Sequence, residues 1–243
     1  MKDFLMDLVA HTHNLGFLPL VKVTASENET VIESMAEDRS VIMTAKTHTP
    51  VQDLDGVFGM PNLNKLDLHL KCPEYKKDAK ITVIEETRNN SKILVGLHFE
   101  NLSGDYQNDY RFMVTEIINE KLKAVAFKGA KWLIELTPSL ASIQRLKFQA
   151  AANSEETVFQ VRSEDNDLVF SFGDSGTHAG QFVFQHDVTG KLKHTWAWPI
   201  AQVQSILNLS GDITMYFSDM GALQITVDSG FAVYNYILPA MTK

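Results

Sequence analysis

The chain has 243 residues, 44% hydrophobic, 21% charged and 9% aromatic, with 13 Gly and 7 Pro. This is the composition of a globular protein with ample core, at a length between one and two domains, and it excludes collagen-like and low-complexity chains. The 22 Lys and Arg against 30 Asp and Glu leave a net charge of −8, which argues against a protein that wraps DNA on a positive surface.

One cysteine, Cys72, excludes an intramolecular disulfide and a Cys-based zinc site. No run approaches the ~18 apolar residues of a membrane span. An acid inside the first turn of the opening segment does not fit a secretory signal. A reducing, cytoplasmic setting without a membrane is expected. Residues 1–113 carry 12 basic and 17 acidic side chains, residues 132–243 carry 6 and 11, and each segment balances at −5. Between them, 114–131 sets Lys121, Lys123, Lys128 and Lys131 against Glu116 and Glu120. Two acidic halves flank a basic connector.

In chain order, helical spacing comes first, over 2–15, with Leu5, Leu8, Val9 and Thr12 on one side and Met6, Ala10 and His13 on the other, flanked by Lys2. Period-two alternation then predicts strands over 17–24, 30–35, 41–46, 79–86 and 92–100, with 110–113 closing the half. A second helix is expected over 54–63, behind Asp53 as N-cap. The second half repeats the plan. Strands are expected over 132–136, 157–161, 168–172, 181–186, 194–198, 212–218, 222–228 and 231–238. Helices are expected over 139–152 and 200–209, opened by Pro138 and Pro199. In the 139–152 helix, Leu140, Ile143, Leu146 and Ala150 fall on one face. Ser142, Arg145 and Gln149 lie opposite, and Lys147 lies near the apolar face with its stem along the sheet and its amine in water.

The inventory for catalysis is thin. Gly173-Asp174-Ser175-Gly176 resembles the nucleophile segment of chymotrypsin-like proteases, but Thr177 replaces the following glycine and no Ala-Ala-His-Cys segment exists. A turn explains those residues more economically. His11 and His13 project about 200° apart on a helix and cannot share a metal. No His-Glu-x-x-His, dinucleotide fingerprint or Walker-type loop is present. No catalytic residue, metal or cofactor is expected. A serine hydrolase using Ser175, and a non-catalytic β-rich structural or scaffolding protein, are the alternatives to the reading that follows.

Four stretches resemble the DNA sliding clamps, the family of proliferating cell nuclear antigen and of the tailed-phage polymerase clamps. Ser34-Met35-Ala36-Glu37-Asp38-Arg39-Ser40-Val41-Ile42-Met43 resembles the Ser-Met-Asp-Ser-Ser-His-Val-Ser-Leu hairpin of the nuclear antigen. Asp53-Leu54-Asp55-Gly56-Val57-Phe58-Gly59 resembles the Asp-Leu-Asn-Gly-Phe-Leu-Gly of phage clamps. Asn108-Asp109-Tyr110-Arg111-Phe112-Met113 resembles the strand before the family's connector. Ser218-Asp219-Met220-Gly221, followed by Tyr236-Ile237-Leu238-Pro239-Ala240, resembles the closing segments.

The resemblance implies an α+β fold of two similar clamp domains, 1–113 and 132–243, joined by 114–131. Each would have antiparallel sheets and two helices. The domains would assemble as a homotrimer into a closed ring with the helices lining the channel. It implies a processivity factor without catalytic activity that encircles double-stranded DNA regardless of sequence. Its partners would be a replicative DNA polymerase and an ATP-driven clamp loader, in the host-cell cytoplasm if phage-encoded. Lys2, His13, Lys65, Arg145, Lys147 and Gln149 would face the DNA, weakly enough to slide. Tyr110, Arg111 and Phe112 would pair with Phe182 and Phe184 of the next subunit. Val41, Met43, Val125, Phe127, Tyr236, Leu238, Pro239 and Ala240 would line a pocket for partner peptides.

Overall fold

Val21–Ala25 (β1), Thr30–Met35 (β2) and Ile42–Thr47 (β3) bury every second side chain, as expected of strands with one face on a core. In this computed structural model, residues 1–241 are described apart from 77–78, 89–90, 124–126, 128, 175 and 177. The chain divides into two units, Met1–Ala126 with Ser229–Tyr234 and Phe127–Asp228 with Asn235–Lys243.

In the first unit, Gly56–Met60 (β4) joins the antiparallel order β4-β1-β2-β3, with Val23 opposite both Ile32 and Phe58. Lys80–Arg88 (β5), Ser91–Glu100 (β6) and Gln107–Arg111 (β7) form a second antiparallel sheet in the order β5-β6-β7. Helix Lys2–Ala10 (α1) buries Phe4, Leu5, Leu8 and Val9. Helix Leu63–Lys71 (α2) buries Leu63, Leu66 and Leu70.

The position of α2 corrects the helix expected over 54–63. Asp53 and Gly56 both adopt positive φ, 71° and 99°, so the chain turns there and an N-cap with a helix behind it is ruled out. Val57 and Phe58 then continue as strand. Pro61 follows, and Asn62 in the left-handed region precedes the three leucines that carry the helical stripe. The connector also holds a helix not foreseen, Thr115–Lys121 (α3), whose Ile118 is fully buried. A Cβ on Gly59 would stand 2.8 Å from the Ile118 side chain. The missing side chain on β4 is what lets α3 sit down.

In the second unit, Val158–Glu164 (β9), Asp167–Phe172 (β10), Gly180–Gln185 (β11) and Trp196–Pro199 (β12) form the order β11-β10-β9-β12. Ile134–Leu136 (β8), Asp212–Ser218 (β13), Ala222–Asp228 (β14) and Ala232–Pro239 (β15) follow the order β15-β14-β13-β8. The core is aromatic. Phe170 stacks on Phe184 with centroids 4.2 Å apart, and Trp198 meets Phe217 edge-on and donates Nε1–H to the Leu238 carbonyl at 3.1 Å. Truncating one such buried ring costs about 3–5 kcal/mol.

Helices Leu140–Ala152 (α4) and Ile200–Leu207 (α5) complete this unit. Ser139 caps α4 by accepting from Ser142 N–H at 3.0 Å. That cap turns Ser142 inward beside Ile143 and Leu146, and leaves Leu140 80% exposed. The faces expected for α4 are corrected accordingly: Leu140 is outside and Ser142 inside.

Candidate nucleic-acid and partner interfaces

The outward helix faces carry few cations. Lys65 on α2 and Arg145 on α4 are exposed, and Lys147 is half-buried. Lys2 is half-buried, with its amine donating to the carbonyls of Tyr75 at 2.7 Å and Lys76 at 3.4 Å. It fastens the start of α1 to the segment after α2. His13 lies just beyond α1 in a single 3₁₀ turn, half-buried. Gln149 turns toward strand β11, where its Oε1 would stand 2.3 Å from a Cβ on Gly180 and accepts from Asn153 Nδ2 at 3.3 Å. α5 has no basic residue. On α2, burial first and then the nearby Lys65 charge push the His69 imidazole below its ordinary pKa.

Each unit ends one sheet on an uncapped edge. β7 is the last strand of β5-β6-β7, and β11 is the first of β11-β10-β9-β12. Such edges present unpaired backbone donors and acceptors. Of the predicted edge side chains, Arg111 is exposed, and Phe112 and Phe182 are half-buried. Tyr110 and Phe184 are core. Burial pushes the Tyr110 phenol above its ordinary pKa, and its hydroxyl donates to the Pro61 carbonyl at 2.5 Å. Behind each edge a helix shows a large apolar side chain that the sequence reading missed: Leu68 on α2, 66% exposed, and Phe148 on α4, 75% exposed. A groove of about 420 Å³ along β9-β10-β11 includes Arg162, whose guanidinium donates to Ser171 Oγ and to Gln181 Oε1. A second, of about 330 Å³, is lined by Gln144, Arg145, Phe148, Gln149 and Phe182.

The expected peptide pocket is corrected by burial. In the first unit, Val41 and Met43 have no exposed surface. In the second, Tyr236 and Leu238 have none. Alternation puts these side chains on the core face of their strands, so they are packing rather than lining. Val125 lies outside the described residues. Phe127, Pro239 and Ala240 keep surface, and Phe127 stacks on Trp132 at 6.1 Å.

The second unit shows a different apolar patch. Met220 is 70% exposed and Met241 49%. Backbone bonds hold their neighbours together, from Ala240 N to Gly221 O at 2.7 Å and from Met241 N to Ala197 O at 2.9 Å. Gly221, at φ 73°, lies so close under Trp196 that a Cβ would be 2.8 Å from the indole. Exposed methionine sulfur beside a half-buried indole suits an adaptable docking face. Met220 sits inside a stretch already singled out by resemblance, yet the pattern of a turn carries no sign that its side chain points outward.

The protease-like string has no support as a site. Ser175 lies outside the described residues, Asp174 caps the turn by accepting from Gly176 N–H at 2.8 Å, and among the described residues no group of three His, Cys, Asp or Glu side chains is placed to hold a metal. Among the described residues no helix is long and apolar enough to cross a membrane.

No protein-family model matches the chain, and no curated protein sequence matches it at a significant level. Solved structures do. The fold is that of solved PCNA structures, with antiparallel sheets and helices in two units. The crystal structure of PCNA from Thermococcus kodakaraensis matches with a TM-score of 0.70 at 10% identity, covering 99% of this chain and 97% of that one. The structure of the C-terminal region of FEN-1 bound to A. fulgidus PCNA matches with a TM-score of 0.69 at 11% identity, covering 100% and 95%. The chain therefore has the PCNA fold from end to end, at an identity where hardly any residue pattern survives.

Proposed function

We propose that this chain is the subunit of a DNA sliding clamp, a processivity factor that encircles duplex DNA without reading its sequence and tethers a replicative DNA polymerase and other partners. The observation that carries the reading is the likeness to PCNA over the full length of both chains. In it, residues 1–113 and 132–243 are two clamp domains joined by 114–131, and three copies supply the six domains of a ring. Strand β7 of one copy pairs with β11 of the next. Arg111 and Phe112 meet Phe182 at the seam, Tyr110 and Phe184 support it from the core, and Leu68 and Phe148 close the apolar layer behind it.

The helices α1, α2, α4 and α5 line the channel. Lys65, Arg145 and Lys147, with Lys2, His13 and Gln149 beside them, offer few and weak phosphate contacts. The net charge of −8 discourages wrapping on the outside. Retention is then topological, and weak contacts permit sliding. An ATP-driven loader opens the ring, and the clamp itself performs no chemistry and holds no cofactor. Partner peptides anchor on Trp196, Met220, Pro239 and Met241, with Phe127 and Ala240 at the margin. A phage replisome in the host cytoplasm is the setting this proposal favours.

Light scattering on the purified chain tests it. The expected mass is about 82 kDa, three times 27.3 kDa. Loaded protein should stay on circular DNA and run off linear DNA. A monomer at every concentration that never lengthens polymerase runs in the presence of loader would overturn the proposal.

A further inference from the structure

The apolar patch of the second unit has two exposed lysines on its rim. Residues 191–194 read Lys191-Leu192-Lys193-His194. Leu192 is buried and anchors the segment, while Lys191, Lys193 and His194 are exposed. Asp219, next to Met220 in the same turn, fixes this rim in place. Its Oδ1 accepts from the N–H groups of Lys193 and His194 at 3.0 Å each and from Trp196 Nε1 at 3.4 Å, and its Oδ2 lies 3.2 Å from His194 Nδ1. The His194 ring stands edge-on to the Trp196 ring with centroids 5.8 Å apart. One carboxylate thus organises both the indole of the patch and the basic rim. Burial works against its charge, yet these bonds hold the Asp219 carboxyl below the ordinary range.

Four lysines stand beside acids: Lys22 with Glu33, Lys46 with Glu29, Lys71 with Asp67, Lys92 with Glu85. Among the described residues no carboxylate pairs with Lys191 or Lys193. In a chain of net charge −8, two such lysines beside exposed sulfur and a half-buried indole form a surface complementary to a negative, apolar segment.

We propose that the partner segment docking here is acidic: an extended peptide that lays an apolar side chain on Trp196, Met220 and Met241 and brings a carboxylate to Lys191 or Lys193. This rests on the reading of the patch as the partner-docking surface. The anchor supplies most of the affinity. The rim supplies selectivity and salt dependence, since exposed charges act over about one Debye length.

The test uses the full-length chain and three fluorescein-labelled peptides, Asp-Asp-Phe-Leu-Phe-Asp-Asp and its matches with Ser or Lys in place of Asp, followed by anisotropy. At about 50 mM salt the acidic peptide should bind roughly three- to tenfold tighter than the Ser peptide, and the Lys peptide weakest. The difference should collapse near about 500 mM. The double variant Lys191→Glu/Lys193→Glu, folded by its thermal melt because both side chains are exposed, should reverse the order. Equal binding of all three peptides, lost in Met220→Ser, overturns the acidic preference and leaves the docking surface standing. Failure of all three to bind overturns the docking surface as well.

Discussion

The phenol of Tyr234 donates to Asp7 Oδ2 at 2.7 Å across 227 residues of sequence. Ser229 Oγ donates to the same oxygen at 3.2 Å, and the His11 ring lies 3.3 Å from Oδ1 while stacking on Tyr234 at 4.3 Å. Burial raises the cost of the Asp7 charge, but these groups outweigh it and hold the carboxyl below its ordinary value of 3.8. The folded state therefore binds the proton more weakly than the unfolded chain does. The stability gained is present above the unfolded value and is lost as pH falls through the folded one. Melts between about pH 5 and pH 2 should fall less steeply for Asp7→Asn than for the wild type. At neutral pH Tyr234→Phe should cost about 1.5–3 kcal/mol, read by urea unfolding.

Phe148 is exposed behind the β11 edge, so its removal barely touches the fold of a single chain. Phe148→Asp should leave the melt of the isolated subunit within about 0.5 kcal/mol of wild type. In sedimentation velocity the same variant should run as a monomer where wild type runs as a trimer. Trimer retention at low micromolar concentration would remove Phe148 from the seam.

Lys65 on α2 and Arg145 on α4 are exposed cations, whereas Lys71, also exposed on α2, is paired with Asp67. Lys65→Glu with Arg145→Glu should weaken association with a duplex and make the salt dependence shallower by about 0.9 per lost phosphate contact. Retention of loaded protein on closed circular DNA should persist, because threading does not depend on these contacts. An unchanged salt slope would place the DNA elsewhere.

Gly59 makes room for Ile118. Gly59→Val would force the α3 side chain off β4, at a cost of about 1–3 kcal/mol. Hydrogen exchange should report the release first in residues 115–121, ahead of the β1 and β2 amides. Ile118→Ala in the same background should recover part of the loss, by relieving the overlap.

Most strands of both units, though not their order and not β4, were legible because Val21, Val23, Ile32, Met43, Ile225 and Val227 obey period two without interruption. The second helix was not, because the 54–63 stretch lacks a clear period and its boundary is decided by two positive φ angles that no hydrophobic pattern encodes. The peptide pocket was misread by the parity of a strand. Met43 and Tyr236 are apolar on the buried side, and alternation alone does not say which side a partner meets. Leu68 and Phe148 escaped for the converse reason. An exposed leucine or phenylalanine on an amphipathic helix has the same letter as a buried one, and only the packed register of α4, turned by its Ser139 cap, separates Leu140 from Ile143.

Strand β15 has a consequence for how the protein is made. Residues 229–234 belong to the first unit, and they supply the phenol and hydroxyl that hold Asp7. A ribosome will have released the whole of residues 1–126 long before those groups exist. The first unit therefore completes its contacts around Asp7 only after residues 229–234 have emerged, and a fragment cut at the connector would lack them.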